Sequence, residues 1–285
     1  MGRLDGKVCL VTGASRGIGA VIARVFAAEG GKVACLARTL HEGEHQYAGS
    51  LETTVAAIRE EGGEAAPFAA NLAEYDDCVR AVDAVQGYYG AVAVLVNNAV
   101  LGHFLPVVEY PPSKLNRALV VSLHAPITLA QLVLPEMIAR GSGAIVNISS
   151  STAIGPGRGP YAGVGSGPAR YMSIYGASKA GLERFTQGLA SEVYAQGVSV
   201  TSLAPSLVVP SATVDAIGAT GSADDPNAEP PEWMARAALL LATEPIERVS
   251  GRVTYSQPIL AEFGWLEAMK GGTGVDRPGS GYSQI

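Results

Sequence analysis

The chain is poor in the residues that mark secreted, metal-binding or nucleic-acid-binding proteins. It has 285 residues and only three cysteines. Cys9 and Cys35 sit in apolar, strand-like runs and Cys78 in a helix-like one, so the expectation is reduced core thiols rather than a disulfide framework. Lysine and arginine total 20 against 26 aspartates and glutamates, a formal charge of −6. That balance argues against a nucleic acid or an anionic membrane surface as partner. The opening Met1-Gly-Arg-Leu-Asp-Gly-Lys7 lacks an apolar signal region, and no uninterrupted apolar run reads as long enough to span a bilayer. The expectation is a cytoplasmic protein. There is no internal repeat. Histidines number four, and two of them, His41 and His45, form His-Glu-x-x-His. Zinc chemistry needs both on one helix face plus a third ligand. Here Gly43 interrupts the segment just after a strand, so no metal site is expected.

What the chain has is apolar residues and glycine: 48% hydrophobic, with 35 glycines and 17 prolines. This suffices for one sizeable α/β core. Lys7–Thr12 reads as a short apolar strand. It runs into Gly13-Ala-Ser15-Arg16-Gly17-Ile18-Gly19 and then into a helical pattern from Ala20 to Glu29, stopped by Gly30-Gly31. Strand, glycine-rich turn and helix is the context a dinucleotide site needs: the glycines let the backbone approach a pyrophosphate, and the helix N-terminus offers free N–H groups. A second feature lies downstream. Gly143–Ser150 reads as a buried strand delivering Ser150 to a crevice, and Tyr175-Gly-Ala-Ser-Lys179, read as helix, puts Tyr175 and Lys179 one turn apart on one face. A phenol titrates near 10, and a lysine ammonium one turn away is expected to pull it down toward working pH. Serine, tyrosine and lysine together can hold and polarise a carbonyl oxygen.

These motifs, in this order, resemble the short-chain dehydrogenase/reductase family: Thr12-Gly13-x-x-x-Gly17-Ile18-Gly19, Asn97-Asn98-Ala99, Ser150 and Tyr175-x-x-x-Lys179. The resemblance covers about residues 5–257 and looks closer to hydroxysteroid-dehydrogenase-like members, which share extra residues near 39–50. It implies a single-domain Rossmann fold over 1–257, a doubly wound, mostly parallel seven-stranded sheet flanked by helices. A 151–173 loop insertion, a 206–231 substrate lid and a 258–285 C-terminal extension complete the chain. Tyr175 is then the proton donor or acceptor, Ser150 holds the substrate oxygen, and Lys179 assists the tyrosine and holds the nicotinamide ribose. The resemblance assigns cofactor contacts to Gly13, Ser15, Arg16, Gly17, Ile18, Gly19, Arg38, Thr39, Asn71, Leu72, Asn98, Ala99, Tyr175, Lys179, Pro205 and Val208. The end of the second strand bears Ala37 where members preferring NAD carry an acid. Arg38 follows and Arg16 lies nearby, so NADP is expected over NAD. The chain departs from the family at four places: Val100 for glycine, Ser122 for the asparagine that helps hold a water beside the catalytic lysine, Ser206 for glycine, and Pro210 for threonine.

The expected activity is NADP(H)-dependent hydride transfer to a carbonyl or from a secondary alcohol. The alternative is a catalytically weak NADP-binding sensor or partner protein on the same fold. The pocket-lining stretches are small and apolar, which favours an apolar small-molecule substrate. The apolar Ile127–Ile138 helix stretch, with the family resemblance, points to a homo-oligomer, a tetramer or a dimer.

Overall fold

A computed structural model describes residues 2–155, 170–212, 214 and 225–271. Most of the 151–173 loop, the middle of the 206–231 segment and the end of the tail lie outside the described residues.

Seven strands form one sheet: β1 (Val8–Thr12), β2 (Lys32–Ala37), β3 (Glu64–Ala69), β4 (Val92–Asn97), β5 (Gly143–Ile148), β6 (Val198–Ala204) and β7 (Val253–Tyr255). The order is β3-β2-β1-β4-β5-β6-β7, and every pairing is parallel. Parallel neighbours need crossovers, and the helices supply them: α1 (Gly17–Ala28), α2 (Leu51–Glu60), α3 (Tyr75–Tyr89), α4 (Pro112–Leu119), α5 (Ala125–Arg140), α6 (Ser173–Val193), α7 (Pro231–Thr243), α8 (Ile246–Val249) and α9 (Ser256–Glu262). The architecture is the α/β Rossmann-like one, with its order reversing between β1 and β4.

Successive strand residues point to opposite faces. Both faces are covered, which is why the strands read as continuous apolar runs. On one face Cys9, Val11, Val33, Val94 and Val146 pack with Ile22 and Phe26 of α1, Ile58 of α2 and Leu240 of α7. On the other, Leu10, Leu36, Leu95, Ile145 and Val200 pack with Val85 of α3, Leu129, Val133 and Met137 of α5, and Leu189 of α6. The sheet's two outer strands are protected differently. β3 carries Pro67, facing Cys35 in the register, and β7 has only three residues.

Several boundaries differ from the sequence reading. Ser256 opens α9 instead of closing the last strand, and that helix runs through the 257/258 boundary drawn between body and extension. Phe263 and Trp265 beyond it anchor on the body: the Arg248 guanidinium lies 3.9 Å from the Phe263 ring centroid, and that of Arg3 lies 4.5 Å from Trp265. Although Ser122, His124, Thr128 and Gln131 interrupt its apolar residues, Pro112–Arg140 forms one 29-residue helical stretch long and apolar enough to cross a bilayer by length and composition. Its Leu129, Val133 and Met137 belong to the core, so one side of this crossover helix packs on the sheet. The stretch holds a wider π-helical turn at Val120–His124, a feature often found beside functional sites.

Candidate active site

Both sequence features end at the C-terminal edge of the sheet, where open parallel sheets bind ligands. At β1, Thr12 organises the turn. Its hydroxyl accepts from the N–H groups of Asn98 (2.9 Å) and Ala99 (3.0 Å) and reaches Val96 O at 3.2 Å. The Asn98 amide donates to Thr12 O at 2.9 Å. The end of β4 is thereby locked against the glycine turn. Gly13 and Gly17 take φ of 67° and 57°, which L side chains adopt at a cost. A Cβ at Gly19 would overlap Gly13 O and the Asn98 amide, whereas one at Gly17 would meet nothing within 4 Å. Gly19 is therefore glycine for packing, and Gly17 leaves open space before the first turn of α1. No side chain caps that helix and no acid stands in its first turn, so its N–H groups suit an anion. Ser15 is buried beneath the turn, with Ile18 packed against the core.

Beyond β2, Arg38 is exposed, while Thr39 is buried with its carbonyl accepting from Leu51 N–H at 3.0 Å. Among the described residues Arg38 has no hydrogen-bond or ion-pair partner. Arg16 is used differently from the expected twin cation. Its Nε donates to Ala48 O at 3.0 Å and its Nη2 to Gly49 O at 2.7 Å, latching the 39–50 insertion onto the glycine turn. His45 of that insertion lies in the field of both arginines, and burial with those charges lowers its pKa. His41 and His45 lie in turns, not on a helix. His41 pairs with Glu52 at 2.9 Å, and His45 Nδ1 accepts from Tyr47 N–H at 3.1 Å. At the end of β3, Asn71 makes a local turn, its Oδ1 accepting from Ala73 N–H at 3.3 Å, with Leu72 buried beside it.

At β5 the chain delivers Ser150, whose hydroxyl accepts from Thr152 N–H at 3.3 Å. Tyr175 lies in the first turn of α6. A Cβ at Gly176 would stand 2.6 Å from Thr152 O, so this glycine lets α6 close onto the residues after Ser150. The Ser150 hydroxyl interacts with the Tyr175 phenol and lowers its pKa, yet burial outweighs it and the phenol stands above its ordinary value. The expected downward pull from Lys179 is not found. The Lys179 ammonium lies 5.7 Å from the Tyr175 ring centroid and donates to Ile148 O at 2.6 Å. Burial drops its own pKa from 10.5 to about 8, partly countered by Glu183. Glu183, one turn further along α6, accepts from the Ser149 hydroxyl at 2.6 Å and is itself raised by burial. Phe104 stands edge-on to Tyr175, ring centroids 6.0 Å apart.

Ser122, a departure from the family pattern, acquires partners within the protein. The Ser122 hydroxyl, inside the π-helical turn, binds both Leu101 N–H (3.2 Å) and Leu101 O (3.3 Å), fixing the loop that carries the exposed Val100. The backbone of Val208, read as open to the cofactor, is committed within the protein. Its N–H donates to Asn227 O at 2.9 Å, and its carbonyl accepts from Glu229 N–H at 3.0 Å. Pro205 leaves β6 next to Ser150, because Ser149 N–H donates to Leu203 O at 2.8 Å. Asn147, an apparent glycosylation acceptor, is fully buried and binds Asn97 and Thr186, each at 2.9 Å.

A parallel sheet with a glycine turn at its reversal and a Ser-Tyr-Lys set beside it defines a dinucleotide-binding class of protein. The short chain dehydrogenase family profile matches residues 7–220, and the chain belongs to that family. It is 34% identical over 212 residues to a short chain dehydrogenase of Pseudocercospora fijiensis, covering 73% of this chain and 61% of that one. It is 31% identical over 206 residues to the 3-oxoacyl-[acyl-carrier-protein] reductase of Thermotoga maritima, covering 72% and 76%. The chain thus spans less than two thirds of the Pseudocercospora protein. Among solved structures, a metagenomic short-chain oxidoreductase in complex with NADP superposes with a TM-score of 0.70 at 30% identity, covering 89% of this chain and 98% of the other.

Proposed function

We propose that the protein is an NADP(H)-dependent oxidoreductase acting on a carbonyl or secondary alcohol. The observation that carries this reading is the meeting of Ser150 and Tyr175 above a fully buried Lys179, at the sheet edge where the open glycine turn faces the crevice. A dinucleotide suits the residues there: Gly17 leaves room for a pyrophosphate, the N-terminus of α1 has N–H groups to offer it, and Lys179 has ammonium protons beyond the one on Ile148 O. When bound, the nicotinamide supplies or takes up the hydride. The chain's own work is to bind the substrate oxygen through Ser150 and to pass a proton between that oxygen and Tyr175. Lys179 sits beside Tyr175, its ammonium 5.7 Å from the ring centroid, where its remaining protons can hold the nicotinamide ribose. Because burial raises the Tyr175 pKa, the phenol is protonated at neutral pH, which suits carbonyl reduction.

NADP over NAD is supported by Arg38, exposed and without a partner among the described residues, and by the absence of an acid at Ala37; NADP is also present in the structure of gluconate 5-dehydrogenase from Burkholderia cenocepacia (26% identity, TM-score 0.73, covering 89% of this chain and 94% of that one). Phe104, edge-on to Tyr175, favours an apolar substrate, and the acidic balance and buried thiols suit a cytoplasmic enzyme. The half-buried Leu134 and the exposed Ile138, one turn apart on α5, support self-association through that face. A second reading, a cofactor-binding sensor, is favoured by the commitment of Val208 N–H within the protein. Steady oxidation of NADPH by a panel of carbonyl compounds, abolished in Tyr175→Phe, supports the enzyme; tight NADPH binding without turnover across the panel supports the sensor.

A further inference from the structure

Glu229 is 1% exposed and belongs to none of the motifs above. Its Oε1 accepts from the Ser256 hydroxyl at 2.6 Å; its Oε2 accepts from Gln257 Nε2 at 3.1 Å and from Leu207 N–H at 3.2 Å. No ion pair involves it among the described residues. A buried carboxyl without a cation is costly unless its lone pairs are met by donors, and here three donors from two separate elements converge on it. The network extends outward. Ser206 N–H donates to the Ser256 hydroxyl at 3.0 Å, and the Ser206 hydroxyl accepts from Gln257 N–H at 3.0 Å. Gln257 Oε1 in turn accepts from Lys270 N–H at 2.7 Å, and Glu229's own N–H holds Val208 O.

The segment so held, 206–208, leaves β6 beside the strand that bears Ser150. It carries no glycine of its own to let it pack flat, and a proline stands two residues after Val208. We propose that Glu229 is a positioning residue: its carboxylate fixes residues 206–208 as the wall of the crevice next to Ser150 and Tyr175, and so sets where the reacting ring and substrate rest. This rests on the dehydrogenase reading above. The chemistry specifies an acceptor and not merely a side chain of that size. A glutamine keeps one: its NH2 group can donate to the Ser256 hydroxyl, whose own proton turns to the Ser206 hydroxyl 3.1 Å away. A leucine would leave the Leu207 N–H and the Gln257 amide facing no acceptor.

The test compares Glu229→Leu and the milder Ser256→Ala with the wild type below their unfolding temperatures. Three quantities are read: affinity for 2′-phospho-ADP-ribose, which lacks the nicotinamide; fluorescence of bound NADPH; and kcat with its deuterium isotope effect from 4-deuterated NADPH. The expected result is unchanged affinity for the fragment, altered NADPH fluorescence and a kcat at least tenfold lower in Glu229→Leu. Ser256→Ala should fall between it and the wild type, with a raised isotope effect in both. Wild-type kcat and NADPH fluorescence in both folded variants would overturn the inference. So would a parallel loss of fragment affinity, which marks general loosening. A wild type that binds no NADPH would instead overturn the functional reading itself, a result the binding measurement shows separately.

Discussion

The two ends of the crevice are built on opposite plans. At the β1–β2 end, glycines bring bare backbone to the surface, the first turn of α1 has no side-chain cap, and Arg38 stands exposed without a partner among the described residues. At the β5–β6 end the buried charged groups and the Val208 backbone already have partners inside the protein: Lys179 on Ile148 O, Glu183 on Ser149, Val208 on Asn227, Glu229 on three donors. One end leaves hydrogen-bonding capacity for a charged ligand. The other spends it on holding a few groups rigidly in a dry environment, where electrostatic effects on a reacting oxygen are strongest.

The contrast can be broken at either end. The largest effect belongs to the dry end: Tyr175→Phe should lower kcat by about two orders of magnitude or more while NADPH affinity, read by fluorescence titration, stays within a factor of about three. Next comes a matched pair in the glycine turn. Gly19→Ala should destabilise by about 1–3 kcal/mol through backbone overlap, seen as a lowered denaturation midpoint. Gly17→Ala should cost about 1 kcal/mol from its φ but should weaken dinucleotide binding more than stability. At the open end, Arg38→Ala should reduce the Kd preference for NADP over NAD by roughly tenfold, the worth of one charge-assisted contact, and leave NAD affinity unchanged. A preserved preference would move the phosphate site to Arg16 or His45.

Two smaller effects sharpen the picture. Lys179 has a folded pKa depressed from 10.5 to about 8 by burial, so the folded state disfavours its charged form. Between those two values the unfolded chain binds more protons, and stability contributed at this site rises with pH across that window; below pH 8 the full penalty is present. Lys179→Met should therefore raise the denaturation midpoint at pH 7, with the gain shrinking as pH climbs from about 8 toward 10.5. A gain that did not vary with pH would assign the effect to packing. Smallest of all, Ser122→Ala should cost about 1 kcal/mol by freeing Leu101, measured by urea denaturation.

Much of this was legible in the chain because it rests on local patterns. Short apolar runs between glycines marked the strands, and the Thr12–Gly19 turn and the i, i+4 pair Tyr175–Lys179 carry their geometry in their spacing. What was not legible depends on distant residues meeting. Arg16 reads as a free cation until Ala48 and Gly49 fold over it. The direction of the Tyr175 shift could not be read from Lys179 alone, because burial, which sequence spacing does not report, outweighs the neighbour. Glu229 reads as an ordinary acid before two prolines; only the return of α9 brings Ser256 and Gln257 to it. Gly176 and Glu183 were in view inside or next to the Tyr-Lys motif, and their roles follow from contacts with Thr152 and Ser149 that the motif does not contain.

The two outer strands carry a last consequence. An unpaired strand edge is a template for adding another chain's strand, the route by which sheets grow into continuous arrays. Pro67 removes a donor from the middle of β3, and β7 offers three residues before the chain turns into α9. Neither edge makes a good template. Growth of the sheet from one copy into the next is therefore disfavoured at both of its edges.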